Sequence, residues 1–293
     1  MQLNDTRLTA AALTGAPVEA AGRSVTETIE AAGEVLAAQR ICLVRGFDTD
    51  PGRFLEFLRG FGTPLANYAS RSDLDKEDPH PQINRVKYKR KGEYTKQSVH
   101  YVAGGLRPHS ARSWRTPRPA YFAMLMVDPG WRDTPEGERG ESIVLCWRDL
   151  FGKLAERDGE EFEQHFTRLR TTPITFQANN VREDNADLPL CYELPDAAGR
   201  FDVGVRLKQD LQEKILPLEA EIPEFDAYRR ALDYLVDNAA DETNQVSFPL
   251  ESGDLLLLDN NRFAHGRHKI VGERDRDGHV EVNPRELWSV TVR

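Results

Sequence analysis

Apolar and polar positions follow two periods along this chain, and the periods sort it into elements. From Val25 to Ala38 the apolar residues Ile29, Ala32, Val35 and Leu36 fall at helical spacing, which predicts an amphipathic helix. Ser24, with Glu27 three residues on, supplies a capping box at its start. Pro51 to Phe61 predicts a second helix, with proline in its first turn and Phe54, Phe57, Leu58 and Phe61 along one side. Further helices are predicted over 148–154, 159–168, 207–216 and 224–239.

Short apolar runs bounded by charge, Gly or Pro predict strands over 40–46, 82–88, 119–127, 142–146, 172–177, 201–206, 246–250 and 287–292. The clearest is Leu255 to Leu258, four leucines between the tight turn Ser252-Gly253-Asp254 and the polar stop Asp259-Asn260-Asn261. That pattern describes a strand buried on both faces. It is expected to deliver His265, beside Gly266 and flanked by Arg262 and Arg267, from its polar end into a cavity.

Many short strands, with helices at the start and in one insertion, predict a mainly β fold with flanking helices, a sandwich or barrel. A doubly wound sheet fits less well, because strands and helices do not alternate strictly and no glycine-rich phosphate loop is present. Residues 1–293 read as one domain, with a polar stretch near 69–98 and a helical insertion near 207–245. The polar stretch is either a solvated loop around one strand or a lid over a substrate site.

Composition narrows the function classes. A net charge of -9 argues against a nucleic-acid scaffold or an anionic-membrane binder, which need a basic face. No apolar run reaches membrane-spanning length, and no signal-peptide pattern opens the chain. Cys42, Cys146 and Cys191 are scattered and odd in number, which predicts reduced, mostly buried thiols in a cytoplasmic protein.

The pattern Gly-Asp, hydrophobic run, Asp-Asn, then His-Gly-Arg near the C-terminus resembles the non-haem iron, 2-oxoglutarate-dependent oxygenases. The branch it looks most like is the clavaminate-synthase-like and taurine-dioxygenase-like one. The resemblance implies a double-stranded β-helix (jelly roll) holding Fe(II) in its mouth. His265 would be one metal ligand and His109, about ten residues before Arg118-Pro119-Ala120-Tyr121, the other. Gly140-Glu141-Ser142 resembles the family's Gly-Gly-Asp/Glu-Thr, which gives Ser142 a hydroxyl for the keto-acid. Pro284-Arg285-Glu286-Leu287 resembles the family's final-strand motif, which gives Arg285 the distal carboxylate of 2-oxoglutarate. Ser289 stands where taurine-type enzymes carry a second arginine for an acidic substrate. Trp114 and Arg115 are further candidates to border the substrate, although charged runs and aromatics near strands more often serve surface and core.

One departure matters most. The family places a carboxylate two residues after the first histidine, and this chain has Ala111. The usual two-His, one-carboxylate set leaves three open positions on the metal; with alanine a fourth opens and one negative charge is lost. Relatives with that replacement are 2-oxoglutarate-dependent halogenases, in which chloride fills the slot and is transferred to the substrate. The resemblance therefore implies O₂-driven chlorination of an unactivated C–H bond in a small polar substrate, such as an amino acid. Competing readings are a hydroxylase or desaturase whose third ligand is water or another carboxylate such as Asp259 or Glu141, a protein that has lost iron, an alanine introduced by design, and a cupin-like binding protein.

Overall fold

Ser24 and Glu27 form the capping box that their spacing predicts, each side chain accepting from the other's backbone N–H. In this computed structural model, which describes residues 9, 13, 15–66, 79–90, 93, 102–112, 115, 118–175, 187–194 and 202–293, they follow strand β1 (Val18–Glu19) and open helix α1 (Val25–Gln39). Strand β2 (Ile41–Arg45) and helix α2 (Pro51–Arg59) come next, α2 starting on an Asp50 cap. Strands β3 (Asn84–Lys87), β4 (Leu106–His109), β5 (Tyr121–Asp128) and β6 (Ser142–Cys146) lead to helices α3 (Trp147–Asp158) and α4 (Glu160–Thr171). Short strands β7 (Pro173–Ile174), β8 (Leu188–Pro189), β9 (Cys191–Leu194) and β10 (Asp202–Val205) precede helices α5 (Leu211–Lys214) and α6 (Phe225–Ala240). The chain ends with β11 (Val246–Phe248), β12 (Leu255–Asp259), β13 (Phe263–Arg267), β14 (Glu273–Arg276), β15 (His279–Val282) and β16 (Glu286–Val292).

Two sheets face one another. One has six strands in the order β1-β2-β12-β5-β16-β3; the other has four, β11-β6-β13-β4. Period-two alternation decides what each face meets. Leu255 and Leu257 of β12 pack under α1 and α2 with Leu36, Phe54 and Phe57, while Leu256 and Leu258 turn to the second sheet with Phe122, Met124 and Val144. Ala264 of β13 and Leu145 of β6 face outward onto α3, α4 and α6. The fold is a jelly roll with helices on its outer surfaces, as expected.

Three expectations change, and one element, the 272–283 hairpin, was not among those predicted. His265 does not sit at the end of the leucine strand; it lies within β13, in the opposite sheet, after a turn at 260–262. The charged stretch 272–283 is a β-hairpin whose Asp277 and Gly278 both adopt positive φ (55° and 79°), the requirement of a two-residue turn. The helix predicted over 207–216 shrinks to α5, because Pro217 cannot continue the hydrogen-bond ladder and Leu207 is held against Ser110. The strand predicted over 172–177 is the two-residue β7 among the described residues, with 176–186 outside them. Much of the 69–98 stretch also lies outside the described residues; its described part supplies β3. Among the described residues no helix is long and apolar enough to cross a membrane.

Candidate active site

Pairing of β4 with β13 puts two histidines side by side. His265 is in register with His109, and their ring centroids are 4.4 Å apart. From that pair, β13 advances two residues to Arg267 while β4 runs three back to Leu106, so β4 carries a bulge. Pro108 lies in the bulge, a position that tolerates a missing N–H. Opposite it, a Cβ on Gly266 would come within 2.5 Å of the Leu106 carbonyl oxygen and 3.2 Å of the Pro108 nitrogen. The glycine of His-Gly-Arg thus has a steric reason: it lets the bulged strand close on the histidine. Phe122 of β5 stacks on the His265 ring at 3.9 Å and fixes its plane.

The tautomer of His109 follows from its partner. Its Nδ1 lies 2.9 Å from the Arg107 carbonyl oxygen, which can only accept, so Nδ1 carries the proton and Nε2 keeps its lone pair. Burial lowers the His109 pKa below the ordinary imidazole value, with backbone hydrogen bonds opposing. A neutral ring with Nε2 available is the form that binds a metal.

The position after β4 is held rigidly. Asn260, fully buried, accepts the Ala111 N–H at 2.9 Å and donates to the Ala111 carbonyl at 2.7 Å. Ser110 donates its hydroxyl to the Val205 carbonyl and its N–H to that of Leu207, both at 2.8 Å. Ala111 packs against the apolar layer between the sheets. The two carboxylates that the sequence offers as substitutes are committed elsewhere. Asp259 accepts from Arg262 at 2.6 Å and from the Asn261 N–H. Glu141 accepts the N–H groups of Gly137 and Arg139 at 2.9 and 3.2 Å. Among the described residues no three His, Cys, Asp or Glu side chains gather as a metal ligand set. The two histidines therefore have no acidic third partner there.

A cationic end lies on the same inner surface. Ser142 is directly opposite Arg267 across β6 and β13, and both are buried. Arg285, immediately before β16, is 2% exposed and donates Nη2 to the Gly140 carbonyl at 3.0 Å. Gly140 adopts φ +71°, and a Cβ there would crowd Arg285 Nε at 2.9 Å. Burial pushes the Arg285 pKa down to about 9, with Arg267 and Arg132 adding repulsion; burial brings Arg267 down to about 10. Arg285 Nε and Arg267 Nε and Nη1 are buried without acceptors among the described residues. Orphaned buried guanidinium donors are what a carboxylate satisfies, so the site suits an oxo acid at this end and a metal at the histidines.

The remaining candidates divide. Ser289 lies on β16, where Asn84 donates to its hydroxyl at 3.3 Å. Arg115 sits in the turn after Ala111, its N–H donating to the Arg112 carbonyl. Trp114 lies outside the described residues. Sequence reasoning treated Asn260 only as a strand stop and placed Phe122 only within the apolar strand at 119–127. It also missed Tyr192, whose ring has Arg118 and Arg206 guanidinium carbons 3.8 and 4.5 Å from its centroid and whose hydroxyl donates to Asn261 at 2.9 Å.

The chain matches the sequence profile described as "Taurine catabolism dioxygenase TauD, TfdA family" over residues 5–288. Among solved structures it is similar to asparagine oxygenase, at 16% identity over 91% of this chain and 77% of that one, with a TM-score of 0.60. It is also similar to the non-haem iron oxygenase OrfP in complex with Fe and alpha-ketoglutaric acid (18% identity, 91% and 79% coverage, TM-score 0.58). A taurine dioxygenase from Burkholderia xenovorans aligns at 15% identity over 94% and 86%, with a TM-score of 0.58. At these identities the likeness is one of fold.

Proposed function

Because this chain belongs to the taurine catabolism dioxygenase TauD, TfdA family, we propose that it is an iron(II)- and 2-oxoglutarate-dependent halogenase acting on a small polar substrate. His109 and His265 would hold the metal, and Arg285 with Ser142 would hold the keto-acid. Iron(II) chelated by a 2-oxo acid supplies, with O₂, the oxidation of an unactivated C–H bond. The chain's own residues do the placing. Asn260 fixes Ala111, Phe122 fixes the plane of His265, and the Arg107 carbonyl fixes the proton of His109 on Nδ1.

The observation that carries the halogenase reading is the tethered alanine, with Asp259 and Glu141 both bonded elsewhere. A methyl group takes less room than a carboxylate and removes a negative charge, so chloride fits beside it. Whether a halide or a hydroxyl reaches carbon then depends on which lies nearer the reacting position. Turnover with and without chloride, read by product mass, tests this. A product heavier by chlorine minus hydrogen only when chloride is present supports the proposal; a product gaining one oxygen under both conditions refutes it. Ala111→Asp should suppress the chlorinated product.

Hydroxylation is the second reading, with water in place of the missing carboxylate. It draws on structures of similar fold, one holding 2S,3S-3-hydroxyasparagine and succinate and another (3S)-hydroxy-L-Arg. Those bound amino-acid products support an amino-acid-sized, polar substrate. We extend the proposal to a single domain over 1–293 and, from the free thiols of Cys42, Cys146 and Cys191, to the cytoplasm.

A further inference from the structure

Two buried arginines approach one another on the inner surface, and one explains itself less readily than the other. Arg267 is 5% exposed. Its Nη2 donates to the carbonyls of Gly104 and Val102 at 2.7 and 3.1 Å, tying down the segment that enters β4. Its Nε and Nη1 meet no acceptor among the described residues, and neither does Nε of Arg285. Arg267 lies two residues from His265, so both side chains share one face of β13, roughly 6.6 Å apart along the strand. Ser142 is its cross-strand neighbour. A strut for residues 102–104 needs only Nη2; it gives no reason to keep a second buried guanidinium near the first, where like charges repel. A shared anion does.

Building on the proposed cofactor, we propose that Arg267 and Arg285 together grip the distal carboxylate of the 2-oxo acid. Arg267 thereby acts as a positioning residue that couples oxo-acid binding to residues 102–109, the segment carrying His109. One carboxylate offers enough lone pairs for all three orphaned donors. Strand geometry then sets the spacing between the chelating and the anchored ends.

The test is an anaerobic titration of the iron-loaded protein, read by the visible absorption of the metal–oxo-acid chelate. It compares 2-oxoglutarate with 2-oxobutanoate, which lacks the distal carboxylate. Arg267→Met should weaken 2-oxoglutarate about tenfold or more and 2-oxobutanoate less than about twofold, since a charge-assisted contact is lost only with the first. Arg267→Lys should recover part of the difference. Hydrogen exchange across 102–109 should slow when 2-oxoglutarate binds the wild type, and change less in Arg267→Met. The inference falls if Arg267→Met binds 2-oxoglutarate as the wild type does, or if both acids weaken equally, as a strut predicts. A wild type that chelates neither acid overturns the proposed cofactor and this inference together, whereas a failure confined to Arg267→Met overturns the inference alone.

Discussion

Strands β12 and β13 follow one another, contain five residues each and are buried throughout, yet their interiors differ completely. β12 sits between β2 and β5 with Leu255 to Leu258 fully buried, two leucines toward the helices and two toward the second sheet. β13 sits between β6 and β4 and spends the same protected space on His265, Gly266 and Arg267. Apolar burial contributes roughly 25 cal/mol per Å², whereas a buried charge costs free energy until it is paired. The six-stranded sheet therefore supplies the stability that lets the four-stranded sheet carry polar side chains inward.

The largest separation should come from Leu257→Ala. Emptying a fully buried leucine in β12 should cost about 2–5 kcal/mol in denaturant unfolding, while the fraction still folded keeps its metal affinity. Loss of metal binding by intact Leu257→Ala protein would break the division of labour. His265→Ala should do the reverse: iron affinity falls by more than the roughly 100-fold that loss of an outer partner costs, with little loss of thermal stability. Gly266→Ala should blur the distinction, since its methyl strikes the bulged backbone of β4. We expect about 1–3 kcal/mol of destabilisation together with weaker metal binding, because the clash displaces the strand that holds His109.

The smallest effect is one of pH. His109 has its pKa lowered by burial, so its ring stays neutral as the pH falls through 6.5. Since the neutral ring binds metal, proton-driven release should begin below that pH, and release already complete at 6.5 would contradict the assignment.

Much of this was legible in the chain. The capping box at Ser24 and Glu27, the leucine strand and a mainly β sandwich or barrel follow from local chemistry and short-range periodicity, while the jelly roll came from the family resemblance. The pairing of His109 with His265 is less local: it depends on a bulge opposite a glycine, and 156 residue positions separate the partners, so only the family resemblance brought them together. The 272–283 hairpin was not among the predicted strands although Asp277-Gly278 signals a turn, because β14 is charged throughout and β15 offers only the two exposed valines Val280 and Val282. Asn260 was invisible as a tether because its partners, the N–H and carbonyl of Ala111, are backbone groups that any residue would present. Arg267 was legible only as a charge flanking His265, since nothing in the sequence says that the strand beside it is covered.

The measurement closest to the central claim is iron X-ray absorption on the protein loaded anaerobically with Fe(II), 2-oxoglutarate and bromide in place of chloride. Two imidazoles, the chelating oxo acid and a heavy halide neighbour are expected around the metal, the halide occupying the slot beside Ala111. A shell closed by an oxygen donor from the chain, with no heavy scatterer, would contradict it.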